Sequence, residues 1–270
     1  MERTPRTAFH QVNPIATPSR HIRFRGGAGC ELAGRLDVPA GDSPLAIFLF
    51  AHAFGSSKDL RSTNRIVDFL TGKGCAVFRF DFTGVGQSEG DFASTSFTTN
   101  IADLMAAAET LRRELGPAEF LFGHSLGGLA ALRSARQITE CKGAATYAAP
   151  SSTLHLREIL LRRAPGILEE GEAVIETIGK QARVSAAMLE DFAQHDALDD
   201  VRELGRAGKK VLVVQSLGDP LIDPAHGRRL FEAAGTDRML AELTRPDHLL
   251  MAHDGDARQL GAILAGWAGL

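Results

Sequence analysis

One stretch constrains this chain more than any other: FLFGHSLGGLAAL, from Phe120 to Leu132. An apolar run stops at Gly-His-Ser-Leu-Gly and resumes among small residues, with no loop between. A strand that turns this abruptly into a helix needs glycine on both sides of the serine, because side chains there would clash in the turn. Gly123 and Gly127 stand at those places. Gly128, Ala130 and Ala131 then let the helix lie close to the sheet. Ser125 is left at the sheet edge and at a helix N-terminus, where free N–H groups and the helix dipole favour developing negative charge. Gly-x-Ser-x-Gly between an apolar strand and a small-residue helix is the pattern of an exposed nucleophile. The competing reading is an ordinary tight turn between strand and helix.

The rest of the chain suits such a joint. HIRFRG and CELAGRLDVP read as two strands of a hairpin around GGAG. Residues 45–52, LAIFLFAH, form the nearly continuous apolar run of a parallel strand covered on both faces. LRSTNRIVDFLTGKG reads as an amphipathic helix ending at Gly72 or Gly74. CAVFRFDF is the next strand, TGVGQSEGDF a glycine-rich loop, and FTTNIADLMAAAETLRREL a long helix stopped by Gly116-Pro117. Strands follow at AEFLFG, KGAATYAAP, 209–216 and RMLAEL, with helices near 224–234 and 256–268. This alternation predicts one α/β domain over 20–270, a mostly parallel sheet with helices on both faces. Residues 1–19 read as an N-terminal arm. Residues 151–200 separate two sheet strands by far more than a usual connection. They predict a lid insertion: a helix, a hairpin turning at Gly179-Lys180, and another helix.

A serine hydroxyl is a poor nucleophile until a base accepts its proton. Where the nucleophile stands on such a turn, the chain order is Ser, then Asp or Glu, then His. The loop after the 209–216 strand offers Asp219 in Gly-Asp-Pro, and the loop after RMLAEL offers His248. Asp223 is the rival acid, although it is also placed to cap the helix beginning at Pro224. His226 and His253 are weaker candidates for the base. His124 is expected to point away from the site or to line its wall. The oxyanion formed by attack on a carbonyl needs two backbone donors. The N–H of Leu126 and the N–H of Phe54, in the loop AHAFGSSKD, are the candidates. His52 reads as a brace for that loop and Asp81 as a tie for the glycine-rich one.

Other chemistries lack support. Gly84, Gly86 and Gly90 do not have dinucleotide-binding spacing. No His, Cys, Asp or Glu cluster has metal-ligand spacing, so no cofactor and no metal are expected. The chain has 270 residues and a near-neutral formal net charge of −3, so nothing suggests a basic nucleic-acid surface. Its three widely spaced cysteines fit a reducing compartment. The polar start has no apolar leader segment and no run is long enough to span a membrane. The expected location is the cytoplasm, with no membrane insertion, and self-association into a homodimer stays open. Arg157, Arg162 and Arg163 read as a solvated helix face, with attraction of an anionic substrate as the alternative.

From about residue 22 to the end, the motifs HAFGSSKD, FDFTGVGQSEGDF, FGHSLGGLAAL, SLGDPLIDP and RPDHLL resemble the α/β-hydrolase superfamily. The chain looks like its serine-aminopeptidase-like or lysophospholipase-like branch. It is also similar to the hydrolase half of bacterial proteins in which such a domain is fused to an OsmC-like domain. The resemblance implies the α/β-hydrolase fold with an eight-stranded, mostly parallel sheet. It implies a triad of Ser125, Asp219 and His248, with Phe54 and Leu126 as oxyanion donors. Ala53 departs from the glycine usual beside His52, and the residues contain no OsmC-like half, so peroxide reduction is not implied. The expected activity is a serine hydrolase cleaving carboxylic esters of small to medium acyl groups. Aminopeptidase-like, thioesterase or perhydrolase action on the same triad, and a non-catalytic binding module, are the alternatives.

Overall fold

The structure is a computed structural model describing residues 18–41, 43–245 and 247–270. The arm expected over 1–19 lies outside the described residues up to residue 17.

The strands are β1 (Ser19–Arg25), β2 (Glu31–Asp37), β3 (Ala46–Ala51), β4 (Cys75–Phe80), β5 (Phe120–His124), β6 (Gly143–Tyr147), β7 (Glu172–Thr177), β8 (Lys180–Ser185), β9 (Lys210–Ser216) and β10 (Arg238–Leu243). The helices are α1 (Arg61–Gly72), α2 (Phe97–Glu114), α3 (Leu126–Ala135), α4 (Thr153–Arg163), α5 (Ile167–Glu170), α6 (Ala186–Phe192), α7 (Ala197–Arg206), α8 (Pro224–Ala233) and α9 (Asp254–Ala268). Eight strands form one sheet in the order β1-β2-β4-β3-β5-β6-β9-β10. The pairings β1–β2 and β2–β4 are antiparallel, and every other pairing in the sheet is parallel. This is the α/β-hydrolase architecture that the motifs implied.

Alternation along the central strands builds two cores. Phe48 and Phe50 of β3, with Phe120 and Phe122 of β5, face α1 and α9. Their rings pair across the strands at 5.3 and 5.2 Å between centroids. Leu49 and Leu121 point the other way, toward α2, α3 and α7. A strand buried on both faces must be apolar at consecutive positions, which is why these runs do not alternate with polar residues.

The connection from β3 to β4 leaves on one side and the one from β4 to β5 returns past β3. Chain order therefore reverses between β3 and β5, and the carboxyl ends of the strands diverge there into a crevice. The loops after β3 and β5 meet at this point.

The long connection between β6 and β9 contains α4, α5, the β7–β8 hairpin, α6 and α7. The hairpin turns at Ile178-Gly179, one residue earlier than the sequence suggested, because Thr177 pairs with Lys180. Both turn residues have positive φ, 35° and 71°. A two-residue turn with φ positive at both places matches the twist of its strands.

Candidate active site

The turn after β5 is as tight as the glycines required. Ser125 has φ 53° and ψ −119°, a conformation that L-residues rarely adopt. A side chain at Gly123 would run into the carbonyl of Gly127. One at Gly127 would strike the carbonyls of Ala51 and His52, at the end of β3. The two glycines thus set the turn and also bring the start of α3 against the loop that follows β3. Neither the Leu126 N–H nor the Phe54 N–H is taken by an acceptor among the described residues. The first N–H groups of a helix have no partner within it.

Asp219 and His248 come together although they lie 29 residues apart, with Nδ1 of His248 2.7 Å from Oδ2 of Asp219. The other carboxylate oxygen, Oδ1, accepts from the N–H groups of Leu221 (2.8 Å) and Ile222 (3.1 Å). The Asp219 carboxylate is fully buried and spent on its own loop and on His248. With Nδ1 of His248 donating to Asp219, Nε2 is left to accept a proton. Ser125 and His248 line one cavity of about 200 Å³ together with Ala53 and Phe54. Among the described residues the Ser125 hydroxyl has no hydrogen bond; catalytic contacts of this kind tighten when substrate arrives. Asp223 does not join this group. Its carboxylate accepts from the Ala225 N–H at 2.8 Å and caps α8.

Several neighbours hold the backbone of the site. His52 spends both ring nitrogens on main chain: Nδ1 lies 2.8 Å from the Ala53 carbonyl, and Nε2 accepts the Phe82 N–H at 3.1 Å. Burial keeps its pKa below the usual histidine value. Asp81 ties the glycine-rich loop to the β3 loop by accepting from the Lys58 N–H (2.8 Å), the Lys58 ammonium (2.7 Å) and the Gln87 N–H (2.9 Å).

Two further residues were not legible as site residues. His124 points away from the cavity, the first of the two orientations expected of it. Its Nε2 donates to the carbonyl of His248 at 2.7 Å, and its ring lies 5.0 Å from that of His248. Burial, then the nearby His248, holds its pKa well below the ordinary value. The chain's one tyrosine, Tyr147, donates its hydroxyl to the Asp247 carbonyl at 2.6 Å. Burial pushes the pKa of that phenol far up. The Asp247 carboxylate accepts from the N–H groups of Leu249, Met251 and Ala252. Adjacent carbonyls under His248 are thus pinned from below while the loop is tied within itself. Only the fold brings β5, β6 and this loop together, so sequence spacing carries no sign of it.

His226 stands away from the cavity, with Nδ1 accepting the Ser151 N–H at 3.1 Å. His253 is exposed and precedes α9. Among the described residues no His, Cys, Asp and Glu group could hold a metal ion, and no helix is long and apolar enough to cross a membrane.

Comparison with known proteins bears on the fold and the family. None of the curated proteins matches the chain. The solved esterase domain of a Rhodothermus marinus protein is 33% identical, with 93% of this chain and 98% of that one covered and a TM-score of 0.74. Est1E from Butyrivibrio proteoclasticus, solved with ferulic acid bound, is 16% identical, with 92% and 99% covered and a TM-score of 0.76. The mouse α/β-hydrolase domain-containing protein 10 is 16% identical, with 93% and 98% covered and a TM-score of 0.73. At those identities the last two share the fold. The family model for serine aminopeptidase, S33, matches residues 42–201. The chain therefore belongs to the serine-aminopeptidase S33 family of α/β-hydrolases.

Proposed function

We infer that the protein is a serine hydrolase of carboxylic esters, with Ser125 as nucleophile, His248 as general base and Asp219 as its orienting acid. The observation that carries this reading is the 2.7 Å Asp219–His248 bond beside a strained serine on the same cavity. His248 Nε2 takes the proton as Ser125 Oγ attacks the ester carbonyl. The N–H groups of Phe54 and Leu126 hold the oxyanion. Each such donor contributes about 3–4 kcal/mol to the transition state. His248 then gives its proton to the leaving alcohol, and an acyl-enzyme remains. Water activated by His248 releases the acid.

Support for an ester substrate comes from the 33% identical esterase domain and from the largely apolar cavity wall. Residues 151–200 act as its lid. Six of its residues, Leu156, Ile159, Leu160, Arg163, Thr177 and Ile178, line the cavity that Ser125 borders.

Labelling with a fluorophosphonate, mapped by mass spectrometry, tests the assignment. Modification at Ser125 that is lost in Ser125→Ala is expected. No labelling of folded wild-type protein would remove the serine-hydrolase reading. Rates on matched ester, thioester and aminoacyl-amide substrates then test the choice of ester, and cleavage of the amides alone would replace it with a peptidase.

A further inference from the structure

The cavity beside Ser125 has an uneven wall. Leu156, Ile159, Leu160, Ile178, Leu221 and Leu249 make most of it apolar. Besides His248, Arg163 is the one ionisable side chain among the described residues that line it. Of the three arginines on α4 that the sequence marks, Arg157 and Arg162 do not border this cavity. Arg163 is also unspent. Its Nη1 reaches the Glu176 carbonyl at 3.3 Å, and it forms no ion pair among the described residues. Other arginines of this molecule are spent on carboxylates: Arg133 and Arg136 on Asp200, Arg183 on Asp91, Arg228 on Glu242. A guanidinium has five donors in a fixed fork that matches a carboxylate. One carbonyl leaves most of that fork available.

We propose that Arg163 is an anion subsite, and that the preferred substrate is an ester carrying a carboxylate separated from the scissile carbonyl by an apolar stretch. The proposal rests on Ser125 as the nucleophile and specifies what that site selects. The apolar wall takes the chain of the substrate, and Arg163 meets the charge at its end. Chains that are too short to reach the fork gain nothing from it, so the preference depends on length.

The rival role for Arg163 is structural. It is the last residue of α4, where a positive charge complements the helix dipole. The two roles separate in measurement. p-Nitrophenyl monoesters of straight-chain dicarboxylic acids are compared with neutral acyl esters of equal length, on wild type, Arg163→Met and Arg163→Lys. A second series places the carboxylate on the alcohol side. The expected result is an anionic-to-neutral ratio of kcat/KM that peaks at one chain length. Arg163→Met lowers that ratio about tenfold, through KM, as loss of a charge-assisted hydrogen bond does, and Arg163→Lys restores part of it. Whichever series shows the effect identifies the side that carries the anion. A ratio unchanged by Arg163→Met in both series overturns the proposal, including when that variant melts earlier.

Binding gives a readout independent of turnover. In Ser125→Ala protein, the mono-methyl ester of octanedioic acid is titrated against the dimethyl ester by calorimetry. Tighter binding of the monoanion that disappears with Arg163→Met supports the subsite even if no ester is cleaved, in which case only the Ser125 reading fails. Equal binding of the two esters to both backgrounds overturns the subsite while leaving the hydrolase reading intact.

Discussion

Two parts of the molecule meet at the cavity, and they are held in different ways. The loops at the carboxyl ends of β3, β5 and β9, and the one after β10, carry Phe54, Ser125, Asp219 and His248. Buried groups aimed at main chain fasten them: His52 on Ala53 and Phe82, His124 on the His248 carbonyl, Tyr147 on the Asp247 carbonyl. The inserted segment from α4 to α6 is held to the rest by side-chain contacts along its length: Arg183 pairs with Asp91, Ser185 Oγ donates to the Ala93 carbonyl, and Thr98 donates to Asp191. Thr153 donates to the Phe192 and His195 carbonyls, and His155 Nε2 lies 3.0 Å from the Leu221 carbonyl. The β7–β8 hairpin presents exposed residues, and Ile178 sits at its tip with φ 35°. Chemistry needs atoms held within fractions of an ångström, and backbone-directed bonds in a dry interior supply that. Selection of substrate needs a wall that can be rebuilt residue by residue. The division predicts that changes in the first region act on kcat and changes in the second on KM.

The largest expected effect is at Asp219. Asp219→Asn should keep the loop bonds that Oδ1 makes but lose the tautomer of His248, lowering kcat on esters by about 10⁴-fold. A loss below tenfold would show that the Asp219–His248 contact is structural and would remove the kinetic side of the comparison.

A smaller effect concerns stability against pH. His124, His52 and His226 are each held below the ordinary histidine pKa by burial. Above about pH 6.5 such a group is neutral in both folded and unfolded chains and contributes nothing to the pH dependence. As pH falls below that value, the unfolded chain takes up protons that the folded chain refuses, so stability falls. Each of the fully buried His52 and His124 adds up to about 1.4 kcal/mol per pH unit, and the half-buried His226, screened by solvent, adds less. Denaturant melts from pH 7.5 to 5 should show this decline, and His124→Gln should make it shallower. An unchanged slope would mean that His124 is not held neutral, and the rigid half of the comparison would lose its clearest mark.

The smallest effect tests the other half. A β-branched residue at positive φ is strained, and asparagine suits the first place of this turn. Ile178→Asn should raise stability by under about 1 kcal/mol while raising KM for apolar acyl esters, with kcat little changed. A fall in kcat with KM constant would place the hairpin among the elements that position the chemistry.

Much of the site was legible because its physics is local. Gly123 and Gly127 are demanded by a turn that neighbouring residues make, and Asp219 follows its strand directly. Asp223 was separable as a cap because a proline follows it at the helix start. The hairpin in the insertion was legible too, but its turn was misplaced by one residue, since register depends on which cross-strand partners fit. His124 and Tyr147 were not recognisable as supports for His248. Their partners are carbonyls 124 and 100 residues away, and a carbonyl leaves no mark in a sequence.

By itself, then, the sequence determined the strand–helix alternation, the sharp turn at Ser125 and the types of residue able to do the chemistry, because apolar periodicity and glycine sterics act over a few residues. Only the tertiary structure decided which loops meet at the crevice beside β3 and β5, how His248 is propped from beneath, and that Arg163 alone of its helix's arginines faces the cavity. Those outcomes depend on strand order and on the packing of segments far apart in the chain.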